Sequence, residues 1–290
     1  MPDFSFLKNV FANQWVISVP RRAKRPDIAF GQVPPCPFCP GREKDEKEIY
    51  RVGGKEGDSN WDVRVVSNKF PFAPTHEIIV HSQDHHKNID ELPMGNVHKL
   101  FQVYRDRYRA LKDEGNIVIF QNHGQDGGES LQHPHSQLVV IPKHVVLEVP
   151  PLPPLDGPTK ETEHFYIFCP LTSQWPDEVW IVPNDQHGAF GDSTDEELHD
   201  LSYVMQRLIE IFDLRHGHEF AFNYYISPWN SWYLRIIPRQ KRLGGFELAT
   251  NVYVNTQDPK ETIAFIQEHF DSPDREKIIH EHQALYHRGV

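Results

Sequence analysis

Two stretches of the chain read alike: EIIVHSQDHH, residues 77–86, and EVWIVPNDQH, residues 178–187. Each is a β-rich run followed by a helical pattern and then by further strands. The offset is about 100 residues, longer than solenoid periods, so the repeat is a whole α+β unit carried twice. After the first copy, Val97, Leu100, Phe101, Tyr104, Tyr108 and Leu111 recur at three and four residues. That spacing predicts a helix over 94–112. Strands are expected at 116–121 and 131–142. After the second copy, Leu198, Leu201, Met205, Leu208, Ile209 and Phe212 form the apolar face of a helix over 195–214. Thr194 is its N-cap and Glu197 the capping-box partner. Strands follow at 219–226 and 232–237. This mixed order of strands and helices fits an α+β fold better than a doubly wound sheet.

Further strands are expected at 13–19, 63–66, 77–80, 165–168 and 179–182. Two helices close the chain, one after Asp258-Pro259 and one near 272–286. Between the repeats, residues 143–160 are proline-rich (EVPPLPPLDGP) and read as a linker or a packed crossover. The expected division is an N-terminal domain over 1–150 and a C-terminal domain over 151–290.

Lys and Arg total 30 against 41 Asp and Glu, a formal charge of −11. That disfavours a nucleic-acid binder, which needs a basic footprint. No apolar run approaches the roughly 18 residues of a membrane-spanning helix. The first 15 residues lack the basic-then-apolar pattern of a secretory signal. Three cysteines cannot build a disulfide framework. No nucleic acid, no membrane and a reducing cytoplasmic setting are the expectations.

The sharpest motif is QHPHSQ, residues 132–137. In an extended segment, residues two apart share a face, so His133, His135 and Gln137 project together. A neutral imidazole is a competent nucleophile near pH 7, and an amide can donate to a phosphate oxygen. The glycine-rich turn NHGQDGGES before it adds backbone N–H groups and Ser130. A surface histidine cluster is the plain alternative. Cys36-Pro-Phe-Cys39 is a zinc half-site or a redox pair; the flanking prolines argue against the helix that redox pairs open. Histidines must complete a zinc site, with His85, His86 and His133 as candidates. Arg21, Arg22, Lys24 and Arg25 cluster in one turn and suit a phosphate clamp or a solvated turn.

Taken in order, WVISVPRRAKRP, CPFC, VRVVSNKFPF, HEIIVHSQDHHK, FQNHG…GES…HPHSQ and RQKRLGGFELATNVYVN resemble the galactose-1-phosphate uridylyltransferase family. That family lies in the nucleotidyltransferase branch of the histidine-triad superfamily. The resemblance implies two tandem histidine-triad-like repeats, each an antiparallel sheet with packed helices. It implies transfer of a nucleoside monophosphate, UMP, between a nucleotide-sugar and a hexose 1-phosphate by double displacement. A phosphorylase of ADP-glucose or of a dinucleotide polyphosphate, with inorganic phosphate as acceptor, is the alternative within the same architecture.

Carried over residue by residue, His135 is the nucleophile, Gln137 holds the nucleotide phosphate, and Ser130 is the third catalytic position. Asn122 and Gly128 match the phosphate loop. Arg22 and Arg25 match arginines near the nucleotide. Asn68 and Phe70 match the base-and-ribose turn. Lys241 and Glu247 match positions near the sugar phosphate. Cys36, Cys39, His85 and His133 match the ligands of one structural Zn2+. The resemblance also implies a homodimer. The sequence departs from the family at Lys69, where an acidic or small residue is usual, and at Tyr253, where a hexose-contacting glutamine is expected. Ser231, Trp232 and Tyr233 stand where some members carry an H-x-H pair for a second metal, so one metal site is expected.

Overall fold

The structure, a computed structural model, describes residues 4–11, 14–24, 35–155, 157–186 and 188–287. The strands of the first repeat are β3 (Glu48–Val52), β4 (Val63–Ser67), β5 (Thr75–Val80), β6 (Asn116–His123) and β7 (His135–Ile141). A short hairpin of β1 (Ser5–Asn9) and β2 (Gln14–Ser18) precedes them, and α1 (Met94–Leu111) links β5 to β6. The second repeat holds β8 (Thr159–Glu161), β9 (Phe165–Phe168), β10 (Val179–Pro183), β11 (Phe222–Ile226) and β12 (Leu234–Pro238), with α2 (Asp195–His216) after β10. Then come α3 (Gly245–Thr250), α4 (Pro259–His269) and α5 (Arg275–His287).

Ten of these strands form one sheet in the order β3-β4-β5-β7-β6-β11-β12-β10-β9-β8. Its ladders are antiparallel. The order is a mirror image about the β6–β11 seam: β6 answers β11, β7 answers β12, β5 answers β10. The repeat in the sequence therefore appears as two halves of one continuous sheet. At the seam Asn122 stands opposite Asn223 and Phe120 opposite Tyr225.

Alternation along β6 decides the layers. Ile117, Ile119, Gln121 and His123 are buried on one face, while Asn116, Val118, Phe120 and Asn122 are half-buried on the other. The first face meets α1 and α2 in a large core that includes Leu100, Phe101, Leu138, Leu201, Leu208 and Phe212. α2 starts where Thr194 accepts the Glu197 N–H at 3.2 Å and Glu197 accepts the Thr194 N–H at 2.7 Å, the expected capping box. The described residues of 143–160 form a packed crossover. Val145 joins the cluster around Val139 and Ile141, and Val149, Leu152 and Leu155 pack with Trp180 and Tyr233. The crossover ends in β8 at the sheet edge.

At the stretch where the resemblance places an H-x-H pair in some members, Trp232 and Tyr233 of this chain pack against other rings. Trp232 stands edge-on to Phe190 at 5.0 Å, and Tyr233 lies 4.3 Å from Trp180. The strands at 131–142 and 219–226 are shorter than expected because their first residues are turns. Glu219 takes a left-handed φ of 61°, and pairing begins only at Phe222. β1, β3, β8 and α3 are not anticipated by the sequence reading. Among the described residues, no helix is long and apolar enough to cross a membrane.

Leu138 is fully buried and pairs with Glu77 on one side and Ile119 on the other. Leu138→Ala should cost about 2–5 kcal/mol. The measurement is the urea midpoint, which should fall with little change in the slope of free energy against urea.

Candidate active site

β7 is buried on both faces. Its alternation sends His135 and Gln137 to the face away from the helices, where both line a cleft of about 540 Å3. Asn68, Phe70, Ser130 and Leu131 line it too, with Phe38 and Val66 as apolar walls. The His135 ring is oriented by its own chain: Nδ1 donates to the His133 carbonyl at 2.9 Å. That bond commits the ring proton to Nδ1 and places the lone pair on Nε2. Pro134, which lies between them, also has its carbonyl engaged, accepting the His81 N–H at 3.1 Å.

Ser136 points the other way into a buried polar cluster. His81 Nε2 is 2.6 Å from Ser136 Oγ, and the Tyr104 and Tyr224 hydroxyls are 2.7 Å apart. Tyr104 also bonds Ser136. Burial holds His81 well below the usual imidazole range, so it is neutral. The cluster ties β7 to α1, to β11 and to the segment after β5. Ser136 is thus anchored from below while its two neighbours face the cleft.

The turn after β4 is built by Asn68, whose Oδ1 accepts the Phe70 N–H at 2.8 Å. Arg22 braces this turn: its Nη1 donates to the Phe70 carbonyl at 2.5 Å and its guanidinium stands 5.0 Å from the Phe72 ring centre. Arg25 lies outside the described residues. Lys69 reaches across the cleft wall to Glu46 at 2.8 Å.

The loop from β6 to β7 is held by Asn223, whose Nδ2 donates to Asn122 Oδ1 at 2.9 Å and to the Gly127 carbonyl at 2.7 Å. Gly128 has a φ of +81°, which favours glycine. Lys241 and Glu247 are not among the residues lining the cleft. They pair with each other at 2.6 Å, and Lys241 also donates to the Val254 carbonyl at 2.7 Å.

Cys36, Cys39, His85 and His133 come together with their ligand atoms all within 4.8 Å of one another. Cys39 Sγ lies 3.2 Å from His85 Nδ1 and 3.7 Å from His133 Nδ1. His133 Nε2 donates to the Ser82 carbonyl at 2.8 Å, which leaves the lone pair on Nδ1, the atom that faces the sulfurs. Burial pushes His133 down to about 4, so it is neutral and ligand-competent. The same burial pushes the Cys36 thiol up to about 11, a tendency that a bound cation would reverse. Two thiolates and two imidazoles suit a tetrahedral zinc-type centre. His86 is exposed and outside this group.

One residue of the site was not singled out in the sequence. His76 is nearly fully buried, and its Nε2 is 3.0 Å from both Gln137 Oε1 and Asn68 Nδ2. Its signal was strand period: His76, Ile78 and Val80 share a face of β5, and that face is the one opposite Gln137 and His135 in the ladder.

A fold and site of this kind define a class: an α+β protein that presents one oriented histidine and one amide in an anion-sized cleft beside a Cys2His2 group. A family model described as "Domain of unknown function (DUF4931) N-terminal domain" matches residues 19–144. The ADP-glucose phosphorylase of Arabidopsis thaliana is 26% identical, over 90% of this chain and 92% of that protein. The galactose-1-phosphate uridylyltransferase of Thermotoga maritima is 24% identical, over 77% of this chain and 80% of that protein. The crystal structure of the Arabidopsis ADP-glucose phosphorylase with bound ADP-glucose superposes with a TM-score of 0.70 at 24% identity, covering 92% of this chain and 99% of that one. The homologues of this chain are galactose-1-phosphate uridylyltransferase-like proteins, and its α+β fold is theirs.

Glu129 sits next to Ser130, buried, accepting the Gly124 N–H at 2.9 Å through one oxygen while the other has no partner. Burial pushes its carboxyl up to about 8. A carboxyl raised by folding keeps its proton in the folded chain after the unfolded chain has lost it. Stability therefore falls as pH rises from the ordinary carboxylate range towards 8. Glu129→Gln should remove that fall and melt above the wild type at pH 8. Melting temperatures of both proteins between pH 5 and pH 8.5 read this out.

Proposed function

We propose that this chain is a nucleotidyltransferase that works through a covalent nucleotidyl-His135. The observation that carries the reading is the bond from His135 Nδ1 to the His133 carbonyl. It fixes the ring as a nucleophile whose lone pair lies on Nε2, in a cleft shared with Gln137. His135 Nε2 attacks the α-phosphorus of a nucleotide-sugar. A P–N bond forms, the P–O bond to the sugar phosphate breaks, and a sugar 1-phosphate leaves with the electron pair. An oxygen of an acceptor phosphate then attacks the same phosphorus and releases His135. Catalysis of this kind rests on positioning and on donors to the phosphate oxygens. Gln137 and Ser130 are placed for that role, Asn122 and Gly128 shape the loop beside them, and Arg22, Asn68 and Phe70 form the nucleotide end.

Two acceptors fit this chemistry. With a hexose 1-phosphate the enzyme is a uridylyltransferase. With inorganic phosphate it is an ADP-glucose phosphorylase, and the alignment that spans 90% of the chain, against 77% for the uridylyltransferase, favours that second reading. Cys36, Cys39, His85 and His133 would hold a zinc ion as a structural clamp. With all four positions filled by protein, the ion supplies folding energy rather than a site for substrate. Lys241 and Glu247 would act at the sugar phosphate only if brought to the cleft from elsewhere, as in the homodimer that the resemblance implies. The two repeats are proposed as domains over 1–150 and 151–290 that share one sheet and one core and so do not fold apart.

Mixing the protein with UDP-glucose, and separately with ADP-glucose, should add one UMP or one AMP to the intact mass. His135→Ala should remain unlabelled while keeping the wild-type fold. The labelled arm names the base, and release of the label by phosphate or by hexose 1-phosphate names the acceptor. An unlabelled wild type in both arms overturns the reading.

Cys36→Ser should lose close to one equivalent of zinc and melt well below the wild type, because closing such a centre contributes on the order of 10 kcal/mol to the folded state. Metal content and melting temperature, measured on the same preparation, check this. A zinc-free variant with wild-type melting removes the metal from the account.

A further inference from the structure

Gln137 is useful to a phosphate only in one orientation. Its amide ends in an oxygen and an NH2 group of nearly equal shape, and a phosphate oxygen needs the NH2. Something must therefore hold the amide oxygen on the side away from the substrate. The side chain in position to do so is His76, whose Nε2 is 3.0 Å from Gln137 Oε1. His76 pairs with Val139 in the β5–β7 ladder and Gln137 pairs with Ile78, so the two side chains are diagonal neighbours on one face.

The surroundings of the ring limit its choices. The Phe72 backbone N–H, a donor that cannot turn, points at Nδ1 at 3.4 Å. Asn68 Nδ2 lies 3.0 Å from Nε2, and Asn68 is held in that sense because its Oδ1 accepts the Phe70 N–H. Two fixed donors thus flank a ring that, when neutral, has one lone pair. With the lone pair on Nδ1, the ring accepts from Phe72 and its Nε2–H donates to Gln137 Oε1, turning the NH2 to the cleft, while the Asn68 NH2 has to swing off Nε2. With the lone pair on Nε2, it accepts from Asn68, and nothing donates to the Gln137 oxygen from this side. A phosphate in the cleft decides between them, because only the first arrangement offers it a donor.

We propose that His76 is a positioning residue. As the Nε2–H tautomer it holds the Gln137 amide with its NH2 group towards the transferred phosphate. The ring touches neither substrate nor phosphorus, and acts through Gln137. By accepting the Phe72 N–H on Nδ1 and donating from Nε2 to Gln137 Oε1, it also joins the turn after β4 to Gln137, so the nucleotide end and the phosphate end of the cleft share one hydrogen-bonded side chain. This inference rests on the proposed nucleotidyl transfer for the identity of the phosphate, while the tautomer itself does not.

Single-turnover formation of the nucleotidyl-His135 adduct tests the role, using whichever of UDP-glucose and ADP-glucose labels the wild type. His76→Phe keeps the ring packing on Phe72 but removes the donor. It should slow adduct formation about tenfold to a hundredfold, the worth of one hydrogen bond to a group that contacts charge, with a much smaller change in KM. His76→Gln, which can still donate, should recover most of the rate. In a Gln137→Ala background, His76→Phe should cost almost nothing further. Multiplying losses in the double variant, or no recovery by His76→Gln, overturns the proposal. Independently of turnover, 15N–1H correlation spectra of the histidine rings in the wild type with AMP, assigned against His76→Phe, should show His76 protonated at Nε2. Protonation at Nδ1 overturns it. A wild type that forms no adduct defeats the proposed function and leaves this spectrum to decide the tautomer.

Discussion

β7 is paired on both edges and buried on both faces, and this confinement is the constraint on which the site depends. A strand with neighbours on both sides cannot slip by one residue without turning every side chain to the wrong layer. Leu138 and Val140 are locked into the helix-covered core, so His135, Gln137 and Val139 must face the other way. Ser136 adds a polar lock, because its hydroxyl sits among His81, Tyr104 and Tyr224 in a space with no access to solvent. Moving His135 would strand those groups without partners, which costs more than any single bond among them contributes. His135 is thereby positioned by groups on the opposite face of the strand.

Burial also sets the charge of the site. His81, His123 and His133 are all pushed below the usual imidazole range by burial, so these three rings around β7 stay neutral near pH 7. Among the described residues, the cations near the cleft are peripheral: Arg22 braces the Phe70 turn, Lys69 pairs with Glu46, and Arg42 pairs with Asp45. An anion held beside His135 and Gln137 would meet dipoles there and these full charges at the rim. Dipoles already aimed need no reorganisation when charge shifts during transfer.

Much of this was legible in the sequence because it depends on period and on spacing. The 3.6-residue pattern marked α1 and α2, the capping box marked the start of α2, and the two-residue period of QHPHSQ placed His135 and Gln137 on one face, while His133, ahead of the strand, turns to the cysteines instead. CPFC left His85, His86 and His133 open as partners, and the pair that the resemblance implies, His85 and His133, closes with the cysteines in space. What was hidden depends on tertiary partners. β3 (EIYRV) mixes charge with apolar residues because Glu48 accepts from both Arg51 and Arg64. β8 (TKE) has no apolar pattern and is a strand only because β9 offers it an edge. His76 stayed hidden because a single histidine at a strand start carries no local signal; its meaning comes from Asn68 and Gln137, eight and 61 residues away.

The seam between β6 and β11 has a consequence for how the chain can be divided. The repeat looks like two modules joined by a proline-rich crossover, yet β6 finds its outer partner only in the second half. Cut between the repeats, the first half would present β6 as a bare row of backbone donors and acceptors, flanked by Ile117 and Ile119 on a face that has also lost α2. Such an edge pairs with whatever strand is near, including another copy of itself. Duplication here has made two halves that are each other's edge protection, so neither can be inherited, expressed or unfolded as a free-standing part without exposing a sticky border.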